Sequence, residues 1–104
     1  MDDIDVIIIG CGPSGLMAGY SLEMSKKNIN YKIIEMGKSL DERDHNNCDD
    51  LTNGIGGAGL FSDGKFSWYP AGEKLWKYDY NLLKESYSDV ENLIKSLDIE
   101  VPKF

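Results

Sequence analysis

Near its start the chain reads Asp5-Val6-Ile7-Ile8-Ile9-Gly10-Cys11-Gly12-Pro13-Ser14-Gly15, a β-branched run followed by glycines in G-x-G-x-x-G spacing. The near-continuous β-branched run from Ile4 to Ile9, interrupted by Asp5, is typical of a strand that is buried on both faces of a parallel sheet. In this spacing Gly10 permits a tight turn, Gly12 lets the backbone approach a pyrophosphate, and Gly15 lets a helix pack closely on the strand. Pro13 suits the first helical turn. The pattern predicts a strand, an anion-binding turn and a helix.

The chain beyond the turn continues the same plan. A helix is predicted to about Ser25, with small residues on one face at Gly15, Ala18, Gly19 and Leu22. A second strand is predicted from Tyr31 to Ile34, and Glu35 follows it 20 residues after Gly15. An acid at this place in a dinucleotide-binding βαβ unit hydrogen-bonds the adenosine ribose and disfavours a 2′-phosphate. FAD and NAD are therefore favoured over NADP, despite Lys38 nearby.

The connection from Gly37 to Leu51 is polar and holds the single arginine and the single histidine of the chain. We expect it to be exposed and mobile, with no fold of its own. Cys48 follows His45 by three residues among acidic side chains, which is compatible with a metal site, but without a second Cys/His cluster a solvated acidic loop is favoured. Cys11, inside the glycine turn, is expected to be a small space-filling residue.

A second glycine-rich stretch runs from Asn53 to Trp68, with five glycines between Gly54 and Gly64. The apolar residues among them are unlike a flexible linker, and they favour a backbone that passes close to a flat partner. The alternative is hairpin turns, in which Ser62 to Lys65 form a turn before a strand from Phe66 to Tyr69. After a turn at Pro70, a last helix is predicted between about Asn81 and Leu97, with an apolar stripe at Leu83, Tyr87, Val90, Ile94 and Leu97. Ser88 and Glu91 would form a capping box if this helix were shorter.

Composition narrows the function classes. A net charge of −7 with one arginine argues against nucleic acid and anionic lipid as partners. The apolar runs are far shorter than the roughly 20 residues that span a bilayer. The N-terminus carries acidic residues and has no basic region of the kind that begins a secretory signal. A cytoplasmic protein is therefore expected.

With both glycine stretches considered, the chain resembles the N-terminal end of FAD-dependent oxidoreductases of the glutathione-reductase-like superfamily. The resemblance is carried by Val6 to Leu16 and by the more selective Gly56 to Lys65, and it is closest to a branch of FAD-dependent dehydrogenases. It implies that the pyrophosphate of FAD lies over Gly10, Gly12 and Gly15, with a backbone N–H from Ser14, Pro13 in the same cofactor-binding turn, and Glu35 on the adenosine ribose. The stretch with Gly56, Gly57, Ser62 and Lys65 would pass the flavin end. No catalytic residue and no metal ligand is assigned.

The resemblance covers about Asp5 to Trp68, and members of this family are several times longer than this chain. A flavin-side Gly-Asp motif is not found in the sequence. We therefore expect an α/β, Rossmann-like βαβ unit (residues 1–36), a loop and glycine-rich flavin-side segment (37–70) and a helical tail (71–104), with an incomplete parallel sheet. The chain would be a partial FAD- or NAD(P)-binding domain, completed by a second chain or by a C-terminal region. A non-catalytic module that binds ADP or a dinucleotide is the alternative.

Overall fold

A computed structural model describes residues 3–104, except for the side chain of Trp76; Met1 and Asp2, which the predicted βαβ unit includes, lie outside the described residues. The described chain is mixed α/β. Strands β1 (Val6–Ile9) and β2 (Tyr31–Ile34) form a two-stranded parallel sheet, and the helices are α1 (Pro13–Met24) and α2 (Tyr80–Lys95). The chain divides into two compact units, Met1–Asp63 and Gly64–Phe104.

The sheet of the first unit pairs β1 with β2 in a simple parallel register. Val6 lies opposite Tyr31, and Ile9 lies opposite Ile34. The ladder extends beyond the strands, since the N–H of Gly10 donates to the carbonyl of Ile34 at 2.7 Å. The bounds of β2 are those predicted, whereas β1 begins two residues later than predicted. The connection through α1 supplies the crossover that a parallel pair needs.

Helix α1 approaches the sheet closely through its glycines. A Cβ at Gly15 would lie 1.9 Å from the carbonyl oxygen of Gly10, and one at Gly19 would lie 2.9 Å from Cδ1 of Ile33. The predicted reason for glycine at these helical positions is thereby confirmed. Ala18, which the spacing placed on the same face, is exposed.

The sheet is covered on one face. Val6 and Ile8 are partly buried, but Ile7, Ile9 and Ile34 are 55%, 86% and 54% exposed. The expectation that β1 is buried on both faces is therefore wrong for the described chain, because α1 packs on one side of the sheet only.

The connection after β2 is mostly exposed, as expected, but it has local structure, so the expectation that it has no fold of its own is wrong, and its mobility stays a prediction. It contains short 3-10 helices at Leu40–Glu42 and Cys48–Leu51, and a third follows at Gly57–Gly59. Arg43 and Asp50 are 8% and 4% exposed, among the most buried side chains described. Internal hydrogen bonds between this connection and its own backbone hold it in place.

The second unit consists of a 3-10 helix (Glu73–Lys77), α2 and an aromatic cluster. The side chain of Asp79 caps α2 by accepting the N–H of Leu82 at 2.9 Å, so the alternative start at Ser88 is wrong: Ser88 lies inside the helix. The ring of Phe104 stacks on Tyr69 at 4.3 Å and meets Tyr87 edge-on at 5.0 Å. This cluster holds the end of the chain on α2.

Two sequence predictions for the second unit fail in part. Residues 66–69 form no strand, so the turn-then-strand alternative is wrong. Of the predicted apolar stripe, Ile94 is buried and Leu83 and Tyr87 are partly buried, whereas Val90 and Leu97 are exposed. No helix among the described residues is long and apolar enough to cross a membrane.

Candidate functional site

A cleft of about 370 Å³ opens in the first unit where both strands end. Its floor is formed by the last residues of the strands and its walls by two glycine-rich segments. The carboxyl end of a parallel sheet is where open α/β folds bind their ligands. The lining residues are Ile9, Gly10, Gly12, Ile34, Glu35, Met36, Thr52, Asn53, Gly54 and Gly57.

The first wall is the turn from β1 into α1. Gly10 has a φ of +98°, which a side chain would strain, and Gly12 is the N-cap of α1 in extended conformation. No side chain caps the helix at Gly12, and Pro13 occupies the first turn. The backbone N–H groups of the first turn and the positive end of the helix dipole therefore face this end of the sheet.

Glu35 links the end of β2 to this turn. Its Oε1 accepts the N–H of Cys11 at 2.9 Å, and its Oε2 accepts the N–H of Gly37 at 2.7 Å. Both backbone hydrogen bonds lower the pKa of Glu35 below its ordinary value of 4.5, and the one from Cys11 has the larger effect. A carboxylate offers about four acceptor positions, so ligand hydroxyls can still bind to Glu35.

The second wall is the segment Gly54–Gly57, which packs on the first wall through backbone atoms. The N–H of Gly56 donates to the carbonyl of Cys11 at 2.8 Å. A Cβ at Gly57 would lie only 2.9 Å from Cα of Gly12 and 3.2 Å from Cδ of Pro13. The second glycine stretch therefore passes close to the first glycine turn, while the flat partner expected from the sequence stays a prediction.

The segment Gly54–Gly57 is also supported from behind. The guanidinium of Arg43 donates from Nη1 to the carbonyl of Ile55 at 2.7 Å and from Nε to the carbonyl of Asp50 at 3.0 Å. The carboxylate of Asp50 accepts the N–H of Asp44 at 3.0 Å and pairs with Nζ of Lys38 at 3.1 Å. The hydrogen bond from Asp44 and the charge of Lys38 lower the pKa of Asp50, although burial acts against them.

The structure brings most of the predicted cofactor residues together. Gly10, Gly12, Glu35 and Gly57 line the cleft, and Pro13, Gly15 and Gly56 hold its walls through the contacts above. Ser14 is exposed in the first turn of α1. Ser62 is exposed beyond the Gly57–Gly59 helix, and Lys65 is an exposed residue of the second unit.

Several residues of the site were not singled out from the sequence. Met36, Thr52, Asn53 and Gly54 line the cleft, and a Cβ at Gly37 would lie 2.5 Å from Cα of Gly54. The glycine content around Gly54 was a usable signal for that wall. Thr52 and Asn53 carried no recognisable sequence signal for the cleft, because only the folding of the polar connection brings them there.

A second depression, of about 900 Å³, lies at the opposite end of the sheet and is bordered by Asp3, Glu23, Asn30 and Lys32 among others. It is wide open, and Tyr31 beside it donates its hydroxyl to Glu23 at 2.8 Å. The smaller cleft has the helix N-terminus and the glycine walls, so we regard it as the candidate site. Within the described residues no group of three or more His, Cys, Asp or Glu side chains is arranged to hold a metal ion.

Comparison of the chain with models of protein families gave no match, and neither a curated protein nor a solved structure matches it.

Proposed function

We propose that the cleft binds the ADP portion of a dinucleotide, FAD in the first place and NAD as the alternative. The chain would then be the FAD-binding N-terminal segment of a flavin-dependent oxidoreductase, with a Rossmann-like βαβ unit as its core. The observation that carries the proposal is the meeting of the uncapped N-terminus of α1, Glu35 and Gly57 around one cleft at the carboxyl end of a parallel sheet.

The size of the cleft supports the adenosine half of such a ligand. At about 370 Å³ it lies near the lower end of ligand pockets, which span roughly 300–1,000 Å³. Its apolar floor at Ile9, Ile34 and Met36 suits an adenine ring, while Glu35 suits a ribose. The residues present therefore fit the ADP portion of the cofactor, and we propose that further polypeptide, a second chain or a C-terminal region, completes the flavin half.

Each group has a separate task in this proposal. Backbone N–H groups at the start of α1 bind the pyrophosphate, and glycine at position 12 leaves room for it. Glu35 accepts hydrogen bonds from the ribose hydroxyls, and its hydrogen bond from the N–H of Cys11 holds the turn in place. Lys38 is paired with Asp50, which leaves Glu35 to set the preference against a 2′-phosphate. In flavoenzymes the flavin supplies the redox chemistry, and the protein supplies binding and orientation.

Absorbance of the purified protein and ADP binding test the proposal. A flavin spectrum that remains after gel filtration would support the oxidoreductase segment. For ligand binding, ADP at about 100 times its Kd should stabilise the first unit by roughly 2.7 kcal/mol. Because both tryptophans, Trp68 and Trp76, belong to the second unit, the first unit is best followed by NMR of its amides. Absence of shifts at Gly10, Gly12 and Glu35 with ADP, NAD and FAD would contradict the proposal.

A non-catalytic module that binds ADP or a dinucleotide is the second candidate. The small volume of the cleft favours it, because the adenosine half fills the space that the described residues provide. A colourless protein that binds ADP and FAD with similar affinity would favour this module. A protein that binds FAD much more tightly than ADP would favour the flavoprotein segment, since contacts to the flavin half would then add affinity.

A further inference from the structure

We propose that Arg43 is a positioning residue of the cleft: its guanidinium holds the segment Gly54–Gly57 against the glycine turn, and nucleotide affinity depends on it although it lies behind the wall. This inference rests on the proposed function as far as affinity is concerned. The positioning itself is a property of the free protein and is tested separately.

The geometry of Arg43 connects three parts of the chain. It lies three residues beyond the start of the Leu40–Glu42 helix, and it donates to carbonyls of Asp50 and Ile55. A Cβ on Gly54 would lie 2.7 Å from Cδ of Arg43, so the arginine stem packs directly on this glycine. With an exposed fraction of 8%, Arg43 is oriented by the protein and not by solvent.

The wall needs such support because its own backbone does not determine its shape. Gly54, Gly56 and Gly57 have φ values of +112°, +95° and +63°, and glycine is the residue with the widest backbone freedom. At Ile55, between them, the N–H donates to the carbonyl of Lys38 at 3.0 Å and the carbonyl accepts from Arg43. Ile55 is thus fixed on both sides, and Gly56 next to it reaches Cys11.

A contact with an aromatic ring also orients Arg43. The guanidinium carbon lies 5.1 Å from the centroid of the Phe61 ring, which is within the range of a cation–π interaction. A planar, permanently charged group with donors in a fixed fork is suited to two carbonyls and a ring at once, and lysine is not. The charge of Arg43 also acts on the carboxylates of Glu35 and Asp50.

The test uses the whole chain with Arg43→Met, and Lys26→Met is the matched control. Lys26→Met removes an exposed cation of the first unit that follows α1 and does not belong to the cleft lining. The first measurement is amide hydrogen exchange of Gly56 without ligand, since this N–H donates to Cys11. The second is the Kd for ADP, measured by NMR titration.

In Arg43→Met we expect the exchange of Gly56 to be about tenfold faster or more, and the Kd for ADP to rise by a similar factor, while the amides of β1 and β2 keep their protection. In Lys26→Met both quantities should stay within about twofold, because removal of an exposed surface charge has little effect. Unchanged exchange at Gly56 in Arg43→Met would overturn the proposal. Failure of the wild-type protein to bind ADP would overturn the proposed function, whereas the exchange result would still decide the positioning role.

Arg43→Lys keeps the proposal testable if Arg43→Met does not fold. Lysine retains the positive charge but lacks the forked arrangement of donors, so we expect faster amide hydrogen exchange at Gly56 with an intact sheet. Wild-type exchange at Gly56 and wild-type ADP affinity in Arg43→Lys would overturn the proposal. Loss of protection in β1 and β2 in both variants would also overturn it, because Arg43 would then serve the whole unit and not this wall.

Discussion

The carboxylate of Glu35 accepts the backbone N–H of Cys11 at 2.9 Å, which joins the end of β2 to the turn that follows β1. The residue that the motif assigns to a ribose is therefore also a structural residue of the free protein. A variant of Glu35 changes two properties together, the shape of the turn and any contact to a ligand.

The titration of Glu35 tests whether its carboxylate is stabilised in the folded protein. Its pKa in the folded protein is lowered by the hydrogen bonds from Cys11 and Gly37, so the carboxylate stabilises the first unit above its ordinary pKa of 4.5. This stabilisation should be lost as the pH falls through the lower, folded pKa. The measurement is the chemical shift of the Glu35 carboxyl carbon between pH 7 and pH 2, and a midpoint at or above 4.5 would contradict the prediction.

Glu35→Gln should reduce this acid sensitivity. Glutamine has one acceptor oxygen where glutamate has two, so one of the N–H groups of Cys11 and Gly37 would face the amide nitrogen. We expect a less stable first unit at pH 7 and a smaller loss on acidification, measured by urea unfolding at several pH values. Asp50 also has a lowered pKa and contributes to the acid dependence, so Asp50→Asn is the comparison.

Gly12→Ala separates ligand binding from folding. A Cβ at Gly12 would meet only Cα of Gly57, at an ordinary distance of 3.8 Å, so the free protein has room for it. The same methyl group would occupy space that a bound pyrophosphate needs, and we expect the Kd for ADP to rise about tenfold or more with little change in stability.

The control for Gly12→Ala is Gly59→Ala, where a Cβ has nothing within 4 Å. This variant should bind ADP as the wild type does. An unchanged Kd in Gly12→Ala would mean that no pyrophosphate lies over this turn.

Gly37→Ala should destabilise the first unit, although Gly37 belongs to no glycine motif. Its Cβ would lie 2.4 Å from the backbone nitrogen and 2.5 Å from Cα of Gly54, and backbone atoms have little freedom to move. By analogy with overpacked cores we expect a loss of about 1–3 kcal/mol in the free energy of unfolding. Amide exchange in β1 and β2 reports this loss, again with Gly59→Ala as the control; equal stability of the two variants would contradict the close contact.

Asp79→Ala should weaken the second unit. Removal of the N-cap of α2 costs about 1 kcal/mol in typical helices. Tryptophan fluorescence reports this change selectively, since both tryptophans belong to this unit. Asp89→Ala, at an exposed aspartate within α2, should be neutral or slightly stabilising because alanine favours a helix interior. A larger effect at Asp89 than at Asp79 would argue against the cap.

The sequence predicted the parts of the fold that repeat a local pattern. The apolar run, the glycine spacing and Glu35 were sufficient for β1, α1 and β2, and Gly15 and Gly19 were correctly explained by close packing. Periodicity also predicted α2, whose bounds Tyr80–Lys95 lie within about two residues of the expected ones; only the shorter alternative starting at Ser88 was wrong, because the cap is Asp79.

The local structure of the polar connection was not predicted, for a physical reason. Arg43 and Asp50 look like solvated residues, and their burial depends on hydrogen bonds to carbonyls and N–H groups that only the folded backbone brings near. No spacing of residue types encodes such contacts. The same limitation hid Gly37, Thr52 and Asn53, which reach the cleft or its wall through this connection.

The contact between Gly12 and Gly57 restricts amino-acid substitution at position 57 more than at position 12. A methyl group fits at position 12 of the free protein but not at position 57, where it would lie 2.9 Å from backbone Cα. Selection for folding alone would therefore let position 12 drift and keep glycine at position 57. A deep mutational library of this chain, scored for abundance and separately for nucleotide capture, would distinguish a glycine retained for the ligand from one retained for the fold.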